Sequence, residues 1–493
     1  MQQKKAIVIG AGFAGMSAAS FLARDGFDVT VLEKNESSGG RGRKFKQDSF
    51  LFDMGPSWYW MPDVFDNYFQ SFKKKTSDYY QLNRLSPSYR VFFHKNNIVD
   101  VPASALELGK YFETLEKGAG QKLEAFLKEA AHKYEVGIND LVFKPGRSLL
   151  EFAHPAFLAG VFKLDVFTSH AAHIRKFFQH PDIIRLLEFP VLFLGAKPEN
   201  TPALYSLMNY ADISLGTWYP MGGMTKIAEG MEKLATSLGV KFIFNSPVTS
   251  FEFTGKKISS VLANGARWSA DVIVAGADYH HVDQKILPEE KKSYSKKYWD
   301  QRVLAPSSLI FYLGFNRKIK NLLHHNLFFD EDFKPHAAQI YDNPQWPEKP
   351  LFYVCAPSKT DPSVALPEHE NVFVLIPVAP DLKDTEEIRE HYFNMILQRM
   401  EHLLEEKNLA SSVIYKRSYA HKDFISDYNS FKGNAYGLAN TLKQTAILKP
   451  SIKSKKITNL YFTGQLTVPG PGVPPSLISG EVVAREISKE MNH

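Results

Sequence analysis

The sequence predicts an α/β protein, α+β overall, whose central sheet contains buried parallel strands. Ala6–Ile9 is a short apolar run that leads into a glycine-rich turn and then into an Ala/Ser/Leu-rich segment of helical character. Val29–Leu32 is a second apolar run. Two further segments, Asp271–Ala277 and Asn459–Gly464, are also mainly apolar. Continuous apolar runs separated by helices are typical of parallel strands that are covered on both faces.

Composition excludes several classes of protein. The chain has 493 residues, of which 44% are hydrophobic and 23% charged, so it is neither a disordered chain nor a small disulfide scaffold. Its one cysteine, Cys355, has no internal disulfide partner, which indicates a reducing, cytoplasmic location. The net charge of +6 is mild and includes no long basic run, so we expect no nucleic-acid partner. No apolar stretch reaches the roughly 18 residues that a membrane-spanning helix needs.

The first forty residues predict a Rossmann-like dinucleotide-binding unit. Gly10 suits the tight turn after the strand, Gly12 allows a pyrophosphate to approach the backbone, and Gly15 allows the helix to pack closely on the strand. Glu33 follows the second strand, where this fold places a carboxylate that binds a ribose. The candidate contacts in this unit are Gly10, Gly12, Ala14, Gly15, Glu33 and Lys34.

Two segments after Glu33 indicate a flavin rather than a nicotinamide. Gly39–Arg43 reads G-G-R-G-R, and Phe52–Trp58 reads F-D-M-G-P-S-W. The first resembles the FAD flavoproteins of the glutathione-reductase and amine-oxidase type, and the second resembles a motif of carotenoid desaturases and isomerases close to the flavin. A plain loop with a charged rim is the alternative. The resemblance implies these further FAD contacts: Gly40, Arg41, Met54, Gly55, Pro56 and Ser57.

The region near residue 460 supplies a second half of the same predicted site. A buried strand ends at Gly464, a Gly/Pro loop follows, and we expect a helix to start at Ser476. In the family that this chain resembles, the corresponding segments contact the ribityl chain and the flavin O2 edge. The resemblance thereby implies contacts from Gly464, Gln465, Val473 and Pro474. Many relatives have an acidic residue where this chain has Gln465, although an amide can also hydrogen-bond a hydroxyl.

The resemblance extends over nearly the whole chain and is close to bacterial phytoene desaturases, in particular the flavobacterial type. It rests on four segments together: Met54–Met61, Thr217–Gly223, Gly433–Leu438 and Gly464–Gly480. It also implies an adenine-side contact from Val248. We therefore expect a discontinuous FAD-binding domain (1–100, 220–285 and 425–493) and a mixed-sheet substrate domain (101–219 and 286–424).

A helical insert at about 145–200 bears on where the protein works. It is rich in Phe and Leu, with Lys163, His170, His173, Arg175 and Lys176 between them. Apolar side chains beside basic side chains suit a helix lying on an anionic membrane surface. A buried helical subdomain with a basic rim is the alternative. The residues alone favour the buried subdomain, but an insoluble C40 polyene favours peripheral attachment to the cytoplasmic membrane.

The resemblance implies an FAD-dependent desaturase that removes hydrogens from phytoene, step by step toward lycopene, by hydride transfer to flavin N5. Quinone or oxygen is the implied electron acceptor. Trp58, Tyr219 and Tyr436 are candidate shape-setting aromatics near the flavin, with plain core packing as the alternative. Other readings are a carotenoid isomerase, a dehydrosqualene or hydroxycarotenoid desaturase, an amine oxidase, and a non-catalytic lipid-binding protein like the Rab GDP-dissociation inhibitors.

We predict no metal site. His170 and His173 lie one helical turn apart, and the pairs His280–His281 and His324–His325 are adjacent, but no carboxylate or third His is placed to complete a convincing site.

Overall fold

A computed structural model describes residues 3–148, 151, 165, 167–192, 195–441 and 444–492. Much of the predicted membrane-facing insert lies outside the described residues. This applies to its apolar and basic members Phe152, Phe157, Leu158, Val161, Phe162, Lys163, Leu164, Val166, Phe193 and Leu194.

Strands and helices are interspersed along the described chain. The strands are β1 Lys5–Ile9, β2 Asp28–Leu32, β3 Lys44–Gln47, β4 Phe50–Asp53, β5 Leu82–Arg84, β6 Tyr89–His94, β7 Asn97–Val101, β8 Trp218–Pro220, β9 Lys241–Ile243, β10 Val248–Thr254, β11 Lys257–Ala263, β12 Ala266–Trp268, β13 Val272–Ala275, β14 Ser307–Phe315, β15 His325–Phe328, β16 Phe352–Cys355, β17 Glu370–Val378, β18 Val413–Tyr419 and β19 Leu460–Phe462. The main helices are α1 Phe13–Arg24, α2 Pro62–Gln70, α3 Ala105–Leu115, α4 Ala119–Val136, α5 His170–Phe177, α6 Pro181–Leu192, α7 Thr225–Ser237, α8 Lys296–Asp300, α9 Phe333–Tyr341, α10 Glu386–Leu404, α11 Leu409–Ser412, α12 His421–Tyr428 and α13 Val473–Asn492.

The first sheet is parallel throughout and has the strand order β19-β13-β1-β2-β9. β1 and β13 are almost entirely buried, as their continuous apolar composition predicts. The α/β class expected from the sequence is therefore confirmed. Because all five strands run in the same direction, their carboxyl ends meet at one edge, which is where ligands bind in sheets of this type.

A second, mixed sheet has seven strands in the order β18-β14-β17-β16-β15-β6-β7. Only the β15–β6 pair is parallel. β14 is buried along its full length, so this sheet is covered on both faces. The domain limits proposed from the sequence stay a prediction, and β6 and β7, which begin before residue 101, pair within this second sheet.

α13 packs against α1 at very short range. A Cβ added to Gly480 would lie 2.4 Å from the Ala14 carbonyl oxygen, so only glycine permits this approach. α13 begins at Val473, three residues before the start at Ser476 that we expected from the sequence. Two prolines occupy its first turn, where a missing N–H costs no helical hydrogen bond.

Among the described residues, no helix has both the length and the apolar composition needed to cross a bilayer.

Candidate functional site

The glycine-rich turn joins β1 to α1 with the geometry expected from its spacing. Gly10 has a φ of +96°, and its N–H donates to the Leu32 carbonyl oxygen at 2.8 Å, which closes the turn onto β2. A Cβ on Gly15 would lie 2.0 Å from the Gly10 carbonyl oxygen, whereas a Cβ on Gly12 would meet no atom within 4 Å. The turn is thus packed tightly behind Gly15 and open in front of Gly12.

The carboxylate of Glu33 is fixed at the end of β2. Its Oε2 accepts from the Ala11 N–H at 2.7 Å, and its Oε1 accepts from the backbone and side-chain nitrogens of Asn35 at 2.8 and 2.9 Å. The side chain is buried, yet it lines an open cleft. Its hydrogen bonds hold the acidic group at the carboxyl edge of the sheet.

A buried cation lies across this cleft from the glycine turn. Arg41 donates to the Ser430 Oγ, and its guanidinium carbon lies 5.0 Å from the ring centroid of Tyr428. Its Nε has no hydrogen-bond partner among the described atoms. Burial lowers the pKa of Arg41 from its ordinary value. A buried guanidinium with an unused donor favours an anionic or strongly accepting ligand.

Sequence reasoning missed Asp278, Tyr428 and His281, which also line the cleft. Asp278 follows the strand predicted at 271–277 and accepts from the His281 N–H at 3.0 Å. Burial raises its pKa to about 6. Its position just past a carboxyl strand end was a usable signal; Tyr428 belongs to α12, far away in the sequence, and nothing local marks it.

The cleft has a volume of about 690 Å³, and seven of the predicted FAD contacts line it. These are Gly10, Gly12, Glu33, Lys34, Gly40, Arg41 and Val248. Ala14 and Gly15 lie directly behind it in α1. Open space at the start of a helix, a fixed carboxylate and a partly unpartnered guanidinium together fit the pyrophosphate and ribose of FAD.

The segment Met54–Ser57 lies at a second, smaller cavity of about 330 Å³. Gly55, Pro56 and Ser57 line it, and the Met54 carbonyl oxygen accepts from the Tyr312 hydroxyl at 2.6 Å. Gly55 packs against Arg41, since an added Cβ would lie 2.7 Å from the Arg41 carbonyl oxygen. The two motifs that follow Glu33 are therefore in direct contact.

The predicted contacts after β19 divide into two groups. Gly464 has a φ of +111° and its N–H donates to the Ser479 Oγ at 3.0 Å. The Gln465 amide, with its oxygen toward Arg41, accepts from Nη2 at 2.9 Å, and its nitrogen donates to the Tyr436 carbonyl oxygen at 3.1 Å. Gln465 thus connects this loop to the arginine of the cleft. Val473 and Pro474 open α13 and line none of the three cavities described in this section.

An apolar cavity of about 670 Å³ lies against the second, mixed sheet. Tyr436 lines it, and the other lining residues are Phe189, Pro306, Leu327, Phe329, Phe333, His336, Ile340, Tyr341, Leu351, Phe352, Tyr353, Leu375 and Pro377. Tyr353 and Leu375 here, and Cys355 and Phe373 in the small cavity, lie two residues apart on β16 and β17. Alternate residues of a strand share a face, so both cavities follow the same face of the second sheet.

The other two candidate aromatics meet at a pair of histidines. Trp58 stacks on His325 with ring centroids 4.1 Å apart and an interplanar angle of 11°. Tyr219 lines the small cavity, and its ring centroid lies 4.5 Å from that of His324. The Tyr219 hydroxyl donates to Asp361 at 3.3 Å. Trp58 and Tyr219 are thus neighbours, while Tyr436 lies on the apolar cavity.

Two groups of potential metal ligands come together among the described residues. Ligand atoms of His324, His325 and Cys355 all lie within 4.8 Å of one another, and so do those of Glu129, Asp165 and His173. In the second group, Asp165 forms an ion pair with Lys133 at 2.9 Å, so its charge already has a partner. The first group contains no cation.

Comparisons with known proteins agree with this geometry. The family model for flavin containing amine oxidoreductases matches residues 13–488. A carotenoid 3,4-desaturase of Haloarcula japonica is 39% identical over 98% of each chain. A zeta-carotene-forming phytoene desaturase of Myxococcus xanthus is 31% identical over 99% of this chain and 94% of its own. Among solved structures, an oxidoreductase from Methanosarcina mazei has the same fold, with a TM-score of 0.64 and 16% identity over 98% of this chain and 100% of its own.

The relatives confirm the resemblance drawn from the sequence motifs, and the family confirms FAD as the cofactor. With a nucleotide cleft at the parallel sheet and an apolar cavity on the mixed sheet, the chain belongs to the flavin containing amine oxidoreductases, in their carotenoid desaturase branch.

Proposed function

We propose that this protein desaturates carotenoids and that phytoene, dehydrogenated step by step toward lycopene, is its substrate. The apolar cavity beside the Gly55–Ser57 segment is the observation that supports this most directly. Its lining is aromatic and aliphatic, which suits a hydrocarbon, and it follows the same sheet face as the cavity at the flavin-type motif. An amine substrate fits this lining poorly, because the lining includes no Asp or Glu to offset the charge of a buried ammonium group.

The residues of the nucleotide cleft and those of the apolar cavity have separate roles. Glu33, Arg41 and the glycine turn would hold FAD, which when bound accepts a hydride from the substrate. The apolar side chains of the 670 Å³ cavity bind the polyene and exclude water. Tyr436 lines this cavity, and Trp58 packs against its lining residues Phe189 and Tyr353, so both rings constrain the path of the polyene.

A second candidate is 3,4-desaturation of an already unsaturated carotenoid. The similarity to the Haloarcula japonica protein, whose name gives that reaction, favours it. Both candidates use the same cavity and the same cofactor, and they differ in where along the polyene hydrogens are removed.

The experiment that separates the candidates is incubation of FAD-loaded protein with liposomes that contain phytoene or lycopene, with and without a quinone. Absorption bands that move to the red from phytoene support the first candidate, and the shift counts the steps. A red shift from lycopene alone supports the second. Unchanged spectra with both substrates, from protein whose flavin is reducible by a chemical donor, would reject carotenoid desaturation.

We also propose that quinone or oxygen reoxidises the flavin and that the protein works at the cytoplasmic membrane surface. Phe167 is 83% exposed, and Arg175 and Lys176 lie in the last turn of the nearby α5. An exposed aromatic ring in the same segment of sequence as cationic side chains suits contact with anionic lipid. Cosedimentation with vesicles tests this: Phe167→Ser should reduce binding to anionic vesicles, and equal binding by both proteins would contradict the proposal.

A further inference from the structure

Three buried side chains between the two cavities form a compact group of nitrogen and sulfur atoms. His325 on β15 and Cys355 on β16 are directly opposite in the antiparallel register, and His324 immediately precedes β15. Their exposed fractions are 5% for His324, 0% for His325 and 4% for Cys355. One ligand atom from each lies within 4.8 Å of the other two.

Hydrogen bonds already occupy one nitrogen of each imidazole. The Nδ1 of His324 lies 2.9 Å from the Thr360 Oγ1, and the Nδ1 of His325 lies 2.6 Å from the Tyr353 hydroxyl. Both Nε2 atoms are buried and have no partner among the described atoms. A buried polar atom without a partner costs roughly 1–3 kcal/mol, so both Nε2 atoms favour a bound partner.

The electrostatic surroundings favour a cation at this place. Asp53 and Cys355 line the same small cavity, and Asp361 accepts from the hydroxyl of Tyr219, whose ring packs against His324. Two nearby carboxylates offset the charge that a divalent ion would bring.

We propose that His324, His325 and Cys355 bind one Zn²⁺ ion, or a similar soft divalent metal ion. Two imidazole nitrogens and a thiolate are a donor set that zinc accepts, with bonds of about 2.0–2.1 Å to nitrogen and about 2.3 Å to sulfur. Each of the three side chains offers one ligand atom, and these atoms lie close enough together to hold one ion. Metal binding displaces the thiol proton of Cys355 to solvent, and the fourth tetrahedral position stays open to water.

The hydrogen-bonding pattern around the group matches what metal ligands need. A ligating histidine is held through its second nitrogen, which here is the role of Thr360 and Tyr353. His336, which lines the neighbouring apolar cavity, is different: its Nε2 bonds the Pro377 carbonyl oxygen at 2.8 Å and its Nδ1 accepts from the Leu351 N–H at 3.0 Å. His336 is buried to a similar degree but has no free nitrogen, which makes it the matched control.

The proposal departs from our expectation of no metal site. That expectation considered neighbours in the sequence, and the thiol that completes this group comes from the adjacent strand.

The test is metal binding by the FAD-loaded, full-length protein after removal of metals with a chelator. We expect one equivalent of Zn²⁺ after dialysis against the ion, and zinc-edge X-ray absorption should show one sulfur and two imidazole nitrogens. Because Cys355 is the only cysteine, a thiolate signal identifies the site directly. Substoichiometric zinc, or a first shell without sulfur, would overturn the proposal in the unmodified protein.

Variants give an independent check. Cys355→Ser and His324→Gln should lose the bound equivalent, while His336→Gln should keep it. Equal zinc content in all three would also reject the site. If Cys355→Ser does not fold, the absorption measurement on the unmodified protein decides alone. Neither readout needs polyene turnover, so failure of the proposed carotenoid substrate leaves this test intact.

Discussion

Glu33 and Ala11 are joined by a hydrogen bond of 2.7 Å from the Ala11 N–H to the Glu33 carboxylate. The bond connects the end of β2 to the turn between β1 and α1, so the acidic group and the helix start keep a fixed separation. Glu33 and Gly12, the residue before the helix start, both line the nucleotide cleft. This link makes the cleft sensitive to the charge of one side chain.

Glu33→Gln should weaken FAD binding by about tenfold or more, because charge-assisted hydrogen bonds contribute about 1.5–3 kcal/mol and an amide replaces only part of them. Flavin fluorescence during titration of the apoprotein measures the affinity. Glu36→Gln, at an exposed position three residues on, is the control and should bind FAD as the unmodified protein does. Unchanged affinity in Glu33→Gln would argue against a ribose contact.

Gly15→Ala should lower the stability of the protein, whereas Gly12→Ala should lower its FAD content. The new Cβ at residue 15 would overlap the Gly10 carbonyl oxygen, so we expect a loss of about 1–3 kcal/mol in stability. The Cβ at residue 12 meets open space, so the fold should hold while FAD content falls. Thermal unfolding of the apoproteins and the flavin-to-protein ratio separate the two. Equal melting temperatures would show that the turn relaxes around residue 15.

Leu375→Trp should lower kcat/KM for a polyene substrate by at least about tenfold, because the larger ring fills the apolar cavity without touching the nucleotide cleft. The flavin-to-protein ratio should stay constant. Leu375→Met conserves the volume approximately and serves as the control. Unimpaired turnover by Leu375→Trp would place the polyene outside this cavity.

Asp212 should make stability depend on pH. Burial raises its pKa to about 7, although the Tyr89 hydroxyl donates to it at 2.8 Å. Because the folded pKa lies above the unfolded one, the folded state holds the proton more tightly, and stability falls as pH rises from about 4 to about 7. Urea midpoints across this range should show that Asp212→Asn loses a dependence on the order of 4 kcal/mol.

The control for this prediction is Asp48→Asn, at an exposed turn residue with a φ of +51° that suits asparagine. It should keep the pH dependence of the unmodified protein. A pH dependence that survives in Asp212→Asn would assign the effect to another buried group, such as Asp278.

The parts of the site that lie close together in sequence could be predicted from it. Gly10, Gly15 and Glu33 follow from one strand–turn–helix–strand unit, because each element fixes the position of the next. Asp278 and Tyr428 reach the same cleft from distant segments, and only tertiary packing brings them there. Asp278 follows a predicted strand and could have been expected at the edge of the sheet, whereas nothing in the sequence around Tyr428 indicates its position.

The same limit explains the histidines. The adjacent His324 and His325 are visible in the sequence, but their neighbour Cys355 comes from the next strand, and the pairing register that aligns them depends on the whole sheet. The start of α13 was misplaced for a local reason: prolines at 474 and 475 indicate a loop, yet a first helical turn tolerates them equally well.

The position of β19 and α13 has a consequence for biosynthesis. β1 and α1 are synthesised before the edge strand beside β13 and the helix that covers α1, which come from residues 460–492. Until residues 460–492 have been synthesised, the apolar face of α1 is uncovered. An uncovered apolar face favours aggregation or chaperone binding. The five-stranded sheet and the cover of α1 are therefore complete only after residues 460–492 have been synthesised.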